Sequence, residues 1–391
     1  MGYGTVGSGV IEVLQTNKER IDQRAGDEIH VKYILDLRDF PGDPVQEKIV
    51  HDFQVIAEDP SIQIVVEVMG GIEPAYTFVK KCLMAGKSVV TSNKALVAKH
   101  GAELLSIARE KNINFLFEAS VGGGIPIIRP LNSSMTADEI EEITGILNGT
   151  TNYMLTKMFY EGADYDTVLK EAQANGYAER NPEADVEGYD ACRKIAILSS
   201  LISGQQVDFE DIYCEGITEI TVEDMKYAKA MGTTIKLLAS SKRIGKRLHA
   251  IVAPCMLYPE HPLYNVNDVF NAIFVHGNVL GDAMFYGSGA GKLPTASAVV
   301  ADVVVENASY SFDIPFSYRV PGRMEGQIRP GCRVLVPFGS SNRSKQGLVL
   351  HLQPQDPQSQ QLKPIKMLLD QKPLLGEEQL WLLELLHQRT F

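Results

Sequence analysis

The stretch GYAERNPEADVEGYDACRK, residues 176–194, gathers acid and base chemistry. Asp190 and Lys194 stand four apart on a predicted helix, so both heads leave one face. Glu179, Glu183 and Asp185 fall in the loop before it. Spare carboxylates can hold an ammonium while a lysine beside a carboxylate trades protons, so the cluster suits a small zwitterion. Taken alone, the Asp190–Lys194 pair reads equally as a helix salt bridge on a solvated face. Two other segments supply company. TSNKALV sets Lys94 at the end of a predicted parallel strand, where open α/β sheets bind ligands, and GILNGTTNYM offers a Gly149–Thr150 turn with free amides and a hydroxyl.

The elements that position these residues begin with MGYGTVGSG. Gly2, Gly4 and Gly7 spell G-x-G-x-x-G, the turn that lays a dinucleotide pyrophosphate on a helix N-terminus, and VIEVLQTNKERI follows as that helix. VKYILDL, IQIVVEVM, KSVVTS and INFLFEA read as buried strands of a parallel sheet, with EPAYTFVKKCLMAG and NKALVAKHGAELLSIAREKN as helices between the last three. Such a turn is ordinarily fed by a buried strand, and here only Met1 precedes it. The expectation is a genuine but cropped cofactor turn. Asp36, at the end of the second strand, suits ribose hydroxyls, and Arg38 suits a 2′-phosphate, so NAD and NADP both stay open.

Composition narrows the class. The net charge of −12 disfavours nucleic acid as a partner for the whole chain, but residues 301–391 carry 10 basic against 9 acidic side chains, which marks a seam. Five scattered cysteines without a C-x-x-C pair indicate reduced thiols and a cytoplasmic setting, and eight histidines in no ligand spacing argue against zinc. No run is long enough to span a membrane.

Beyond VGGGIPIIRPL the texture turns α+β: a strand EEITGIL, three helical stretches, the strand RLHAIVAPCML and the hairpin NAIFVHGNVLGDAMFYG. The tail follows with short alternating runs SYRV, CRVLVPFG and QGLVLHLQ, a PQDPQSQQ tract and an amphipathic helix GEEQLWLLELLHQ. At the seam, PTASAVVADVVVENASY can start a helix at Pro294, whereas its three consecutive valines favour a strand; the helix is expected to hold to about Val304.

EASVGGGIP, NGTTNY, GYAE, DVEGYDACRK and GSGAGKLPTASAVVADV, in this order and spacing, resemble homoserine dehydrogenase over residues 1–305. The resemblance implies NAD(P)-linked interconversion of homoserine and aspartate semialdehyde, and a homodimer formed through the catalytic domain. It implies Lys194 as acid/base, assisted by Lys94, with Asp190 holding the lysine or a water. Glu179 and Asp185 meet the substrate ammonium, with Gly149 and Thr150 nearby. Gly2, Gly4, Thr5, Val6, Gly7, Lys94 and Gly289 line the cofactor. Glu118 with the carbonyls of Val121, Gly123 and Ile125 surrounds a sodium ion, although VGGGIP reads equally as a bare hinge turn. A lysine buried beside another cation has its pKa lowered and can then exchange protons, which agrees with the assignment.

The tail is similar instead to the N-terminal, 3′-DNA-end-binding domain of the primosomal helicase, through FDIPFSYRVP, IRPGCRVLVPFG, GLVLHL and QKPLLGEEQLWLLELL. Pocket residues carried over are Phe316, Gly339 and Lys363, but Ser317 stands where that pattern has Asp. Between Phe312 and Lys372 lie 9 basic and 4 acidic residues, consistent with weak phosphate contact. The expected architecture is α/β: a Rossmann-like parallel sheet lacking its first strand (1–125), an α+β catalytic domain (126–300) and a small β-rich domain (301–391). The rival readings are an inactive chimeric product, or a DNA-fork-binding module on a vestigial dehydrogenase.

Overall fold

The computed structural model describes residues 1–245, 247–307, 316–338, 343–353, 362–370, 372–376 and 378–381. Packing divides the chain into two compact units, Met1–Ala308 and Ser309–Phe391.

In the first unit, β3 (Ile64–Glu67), β4 (Ser88–Thr91) and β5 (Phe115–Leu116) form a parallel sheet in that order, and β1 (Ile34–Leu35) pairs in parallel with β2 (Ile49–Val50). Two residues join these pieces. The Met1 ammonium donates to the Val66 carbonyl at 2.7 Å, the Val68 amide to the Met1 carbonyl at 3.0 Å, and the Gly2 amide to the Leu35 carbonyl at 2.7 Å. Met1 and Gly2 thus lie between β1 and β3, in the central strand position of the Rossmann-like sheet. VKYILDL pairs through Ile34 and Leu35 alone, because a strand needs a neighbour along its whole length to extend its ladder.

Helix α1 (Thr5–Thr16) starts directly after the glycine turn and is followed by α2 (Lys18–Ala25). The short α3 (Gln54–Ala57) precedes β3; α4 (Ala75–Met84) and α5 (Lys94–Lys111) alternate with the strands. Helix α11 (Lys292–Asn307) returns to pack along α1: Ala296, Val299, Val300 and Val303 are buried with Val10, Ile21, Val90 and Ala119. This burial decides the contested seam. A valine run that favours strands stays helical to Asn307 because its apolar face meets a large partner surface. Residues 301–307, claimed in sequence by both segments, therefore pack with the first unit.

The later part of the first unit is built on one six-stranded sheet of order β11-β10-β6-β8-β9-β7. Its strands are β6 (Ile140–Ile146), β7 (Tyr213–Cys214), β8 (Thr234–Ile244), β9 (Arg247–Leu257), β10 (Phe270–Gly277) and β11 (Gly281–Ser288). The sheet is antiparallel apart from the β7–β9 pair. Helices α6 (Gly149–Glu161) and α9 (Tyr189–Ser203) pack on it, with α7 (Tyr165–Ala174), α8 (Glu183–Val186) and α10 (Val222–Ala230) around them.

The second unit holds a sheet of order β13-β12-β14, formed by β12 (Arg333–Phe338), β13 (Arg343–Leu348) and β14 (Met367–Leu368). Its small core comprises Met324, Ile328, Val334, Val336, Val349 and Ile365. SYRV contributes one parallel bridge from Arg319 to Pro364 rather than a strand. Gly339, the PQDPQSQQ tract and most of the final amphipathic helix lie outside the described residues.

Candidate active site

The cluster forms where three helices begin. Asp190 lies in the first turn of α9, where the amide dipoles favour a negative charge. Lys194, one turn on, reaches back with Nζ 2.8 Å from Asp190 Oδ2 and donates to the Leu147 carbonyl at 2.6 Å. Lys94 opens α5 just past the end of β4 and donates to Asp190 Oδ1. Asn148 caps α6 by accepting from the Thr151 amide at 2.9 Å, while its Nδ2 donates to Asp185 at 2.7 Å and to Asp190 at 3.0 Å. Asp190 and Lys194 side chains are only 3% and 9% exposed, so they do not form a solvated-face pair.

Burial alone would raise the Asp190 pKa, but the ammoniums of Lys194 and Lys94 outweigh it and hold the carboxyl below the usual range. Lys194 moves down, because burial and the charge of Lys94 exceed the pull of Asp190. The Asp185 carboxyl moves up through burial and then through the nearby Asp190 charge. The result is a buried lysine disposed to give up its proton beside a carboxylate kept ionised. That is the division of labour an acid/base site needs.

Thr150 donates to the Tyr177 carbonyl at 2.7 Å, tying α6 to the 176–180 loop. The amides of Gly149 and Thr150 have no acceptor among the described residues. Glu179 differs from the rest: it is exposed, and its carboxylate makes no hydrogen bond or ion pair among the described residues.

At the opening turn, Gly2 has φ +91°, and a Cβ on Gly7 would lie 2.2 Å from the Gly2 carbonyl oxygen. A Cβ on Gly4, beside Thr5 and Val6, meets nothing within 4 Å, so the helix start is open to a phosphate. Asp36 accepts from the Tyr3 and Arg38 amides and from the Arg38 guanidinium, which leaves the exposed Arg38 fork outermost at this strand end. Glu118, on the 3₁₀ turn Glu118–Ser120, accepts three amides, from Ile127, Ile128 and Arg129. Val121 and Ile125 are buried and Gly123 has φ +58°. No group of three metal-ligating side chains occurs among the described residues.

Residues 2–118 match the family described as homoserine dehydrogenase, NAD binding domain, and residues 126–304 match homoserine dehydrogenase itself. The Bacillus subtilis homoserine dehydrogenase is 42% identical over 308 residues, 78% of this chain and 71% of that protein. The chain belongs to the homoserine dehydrogenase family. The Synechocystis homoserine dehydrogenase is 46% identical, again over 78% of this chain and 71% of its own length. A homoserine dehydrogenase structure from Thiobacillus denitrificans superposes with TM-score 0.76 at 42% identity, covering 80% of this chain and 74% of that one. A hyperthermophilic archaeal homoserine dehydrogenase in complex with NADPH superposes with TM-score 0.68 at 30% identity, covering 79% and 96%. Residues 302–391 match a different family, the 3′DNA-binding domain.

Two residues of this homoserine dehydrogenase site escaped the sequence reading. Asn148 is the joint of the cluster, and its place as a polar residue just before a helix was an available N-cap signal. Glu67, at the end of β3, accepts from Thr91 Oγ1 at 2.6 Å and from the Met69 amide at 2.7 Å, bracing the turn beside the glycines; nothing in its strand pattern announced this.

Proposed function

We propose that the chain interconverts L-homoserine and L-aspartate 4-semialdehyde with NAD(P). The observation that carries the reading is the buried Lys194–Asp190–Lys94 cluster joined by Asn148, in a chain of this family. A bound nicotinamide supplies the hydride acceptor, and the open helix start at Gly4 suits its pyrophosphate. Lys194 Nζ, in its neutral form, takes the substrate hydroxyl proton as the carbon–hydrogen bond breaks, and returns it in the reverse direction. Asp190 keeps the resulting ammonium in place, and Lys94 keeps Asp190 ionised. Asp185, with Glu179 brought in by the loop tied to Thr150, receives the substrate ammonium. Purified chain mixed with homoserine and NADP⁺ should raise absorbance at 340 nm in proportion to semialdehyde formed. Cofactor binding without homoserine-dependent reduction would refute the reading.

Glu118 and Asp302 are both buried, and the Arg129 guanidinium pairs with Asp302 while Glu118 is met by amides alone, which supports a sodium ion held by Glu118 and the carbonyls of Val121, Gly123 and Ile125. Its test is a sodium-specific gain in melting temperature over choline at equal ionic strength. The sheet face on which Ile251, Met284 and Tyr286 are exposed supports a homodimer, to be read from the mass in solution.

For residues 302–391 we infer weak contact with a 3′ DNA end, supported by the family match and by Phe316, half exposed and edge-on to Phe338 at 5.1 Å. Lys363, whose carbonyl accepts from the Arg319 amide, lies on the same unit. Fork DNA with a recessed 3′ end should bind with an affinity that falls steeply with salt; equal affinity for a blunt duplex would refute it.

A further inference from the structure

Asn271, at the start of β10, is 2% exposed, yet its Oδ1 is buried without a hydrogen-bond partner. Buried carboxamides are ordinarily satisfied, so one left open beside a ligand site marks a group that the ligand completes. Its surroundings locate that ligand. A Cβ on Gly149, the first residue of α6, would lie 3.5 Å from Asn271 Oδ1, and a Cβ on Gly289 would lie 1.9 Å from Nδ2. Gly149 follows Asn148, which holds Asp185 and Asp190. On the other side, a Cβ on Gly123 would lie 2.2 Å from the Gly289 carbonyl oxygen, and three residues past Gly289 the Lys292 carbonyl lies against Gly9 of α1. Asn271 therefore sits between the acid/base cluster and the segment that leads back to the phosphate-binding helix.

The side chain is also held there. Lys236 Nζ, buried in β8, donates to the Val266 carbonyl at 2.6 Å, to Asn267 Oδ1 at 2.9 Å and to Asn152 Oδ1 at 3.2 Å. Asn152 Nδ2 donates in turn to the carbonyls of Val266, Asp268 and Phe270. This knot fixes residues 266–270 and presents Asn271 rigidly.

We propose that Asn271 Oδ1 accepts a hydrogen bond from the nicotinamide carboxamide and so fixes which way the ring faces the substrate. The chemistry separates this group from the other ligand atoms. Substrate ammonium is matched by the carboxylates of Asp185 and Glu179, and pyrophosphate by the amides at Gly4. A neutral amide donor suits a neutral carbonyl acceptor. The assignment rests on the NAD(P) reading above and makes Asn271 a cofactor-positioning residue.

The test is calorimetric binding of NADP⁺ and of its 3-acetylpyridine analogue, which keeps the ring and the carbonyl but lacks the amide donor. The wild type should prefer NADP⁺ by roughly three- to tenfold, the worth of one such hydrogen bond. Asn271→Leu, similar in volume, should bring that ratio to about one. A wild type that binds both equally, or a ratio unchanged in Asn271→Leu, overturns the assignment while leaving the cofactor reading intact. Failure to bind either dinucleotide overturns both.

Discussion

Lys194→Ala lowers kcat for homoserine oxidation by roughly 10²- to 10⁴-fold and leaves the dissociation constant for NADPH within about twofold. The size follows from the geometry. Lys194 Nζ is the buried base of the site, held between Asp190 and the Leu147 carbonyl, and its lowered pKa enlarges the neutral fraction that accepts a proton. Lys94 is half solvated and engaged with Asp190, so it is not placed to substitute. Steady-state rates with fluorescence titration of NADPH check this; unaltered turnover removes Lys194 from the chemistry.

The second large effect lies in the sheet. Between β1 and β3 the ladder is carried by Met1 and Gly2, and the Met1 ammonium is buried there, which lowers its pKa through desolvation. A chain extended by an apolar strand of about five to seven residues ahead of Gly2 can pair on both sides. That offers about ten ladder hydrogen bonds, each worth ~1 kcal/mol, and removes the buried terminal charge. A net gain of even ~2 kcal/mol raises the melting temperature by roughly 3 °C for a unit of 308 residues. Because the strand feeds the glycine turn, NADPH affinity rises with it. Scanning calorimetry of both forms decides the point: an unchanged midpoint together with unchanged affinity means the slot between the half-sheets is not a strand position.

How much of this was legible in the sequence depended on the range of the contact. RLHAIVAPCML is β9 from Arg247 to Leu257: its long apolar run reads as a strand, and Pro254 sits within it opposite Leu237 without ending it. The neighbouring β8 was missed: Lys236 is its third residue and Ser240–Ser241 follow Leu237–Ala239, so its apolar run is short, yet a buried three-oxygen socket lets the lysine sit in the core. The Asp190–Lys194 contact was readable from helical spacing, whereas Lys94 reaches Asp190 across 96 residues and rested on resemblance to the family. Glu179 is near the cluster in sequence, but its side chain is exposed, so its approach to the buried carboxylates was not to be read from spacing. Asn148 and Asn271 act through contacts that no local period encodes; the first had a capping signal and the second had none.

The central claim, that one buried lysine exchanges the proton in both directions, is tested most directly by the pH dependence of kcat/KM for each, which reports the groups of the free enzyme. Oxidation needs Lys194 neutral, so its rate rises with pH; reduction needs it protonated, so its rate falls. Burial and the charge of Lys94 set both inflections at one pH below the ordinary 10.5 of lysine. Mirror-image profiles sharing that inflection, absent from Lys194→Ala, are the predicted result. Profiles that move in the same sense, or an inflection that survives in Lys194→Ala, would contradict the account.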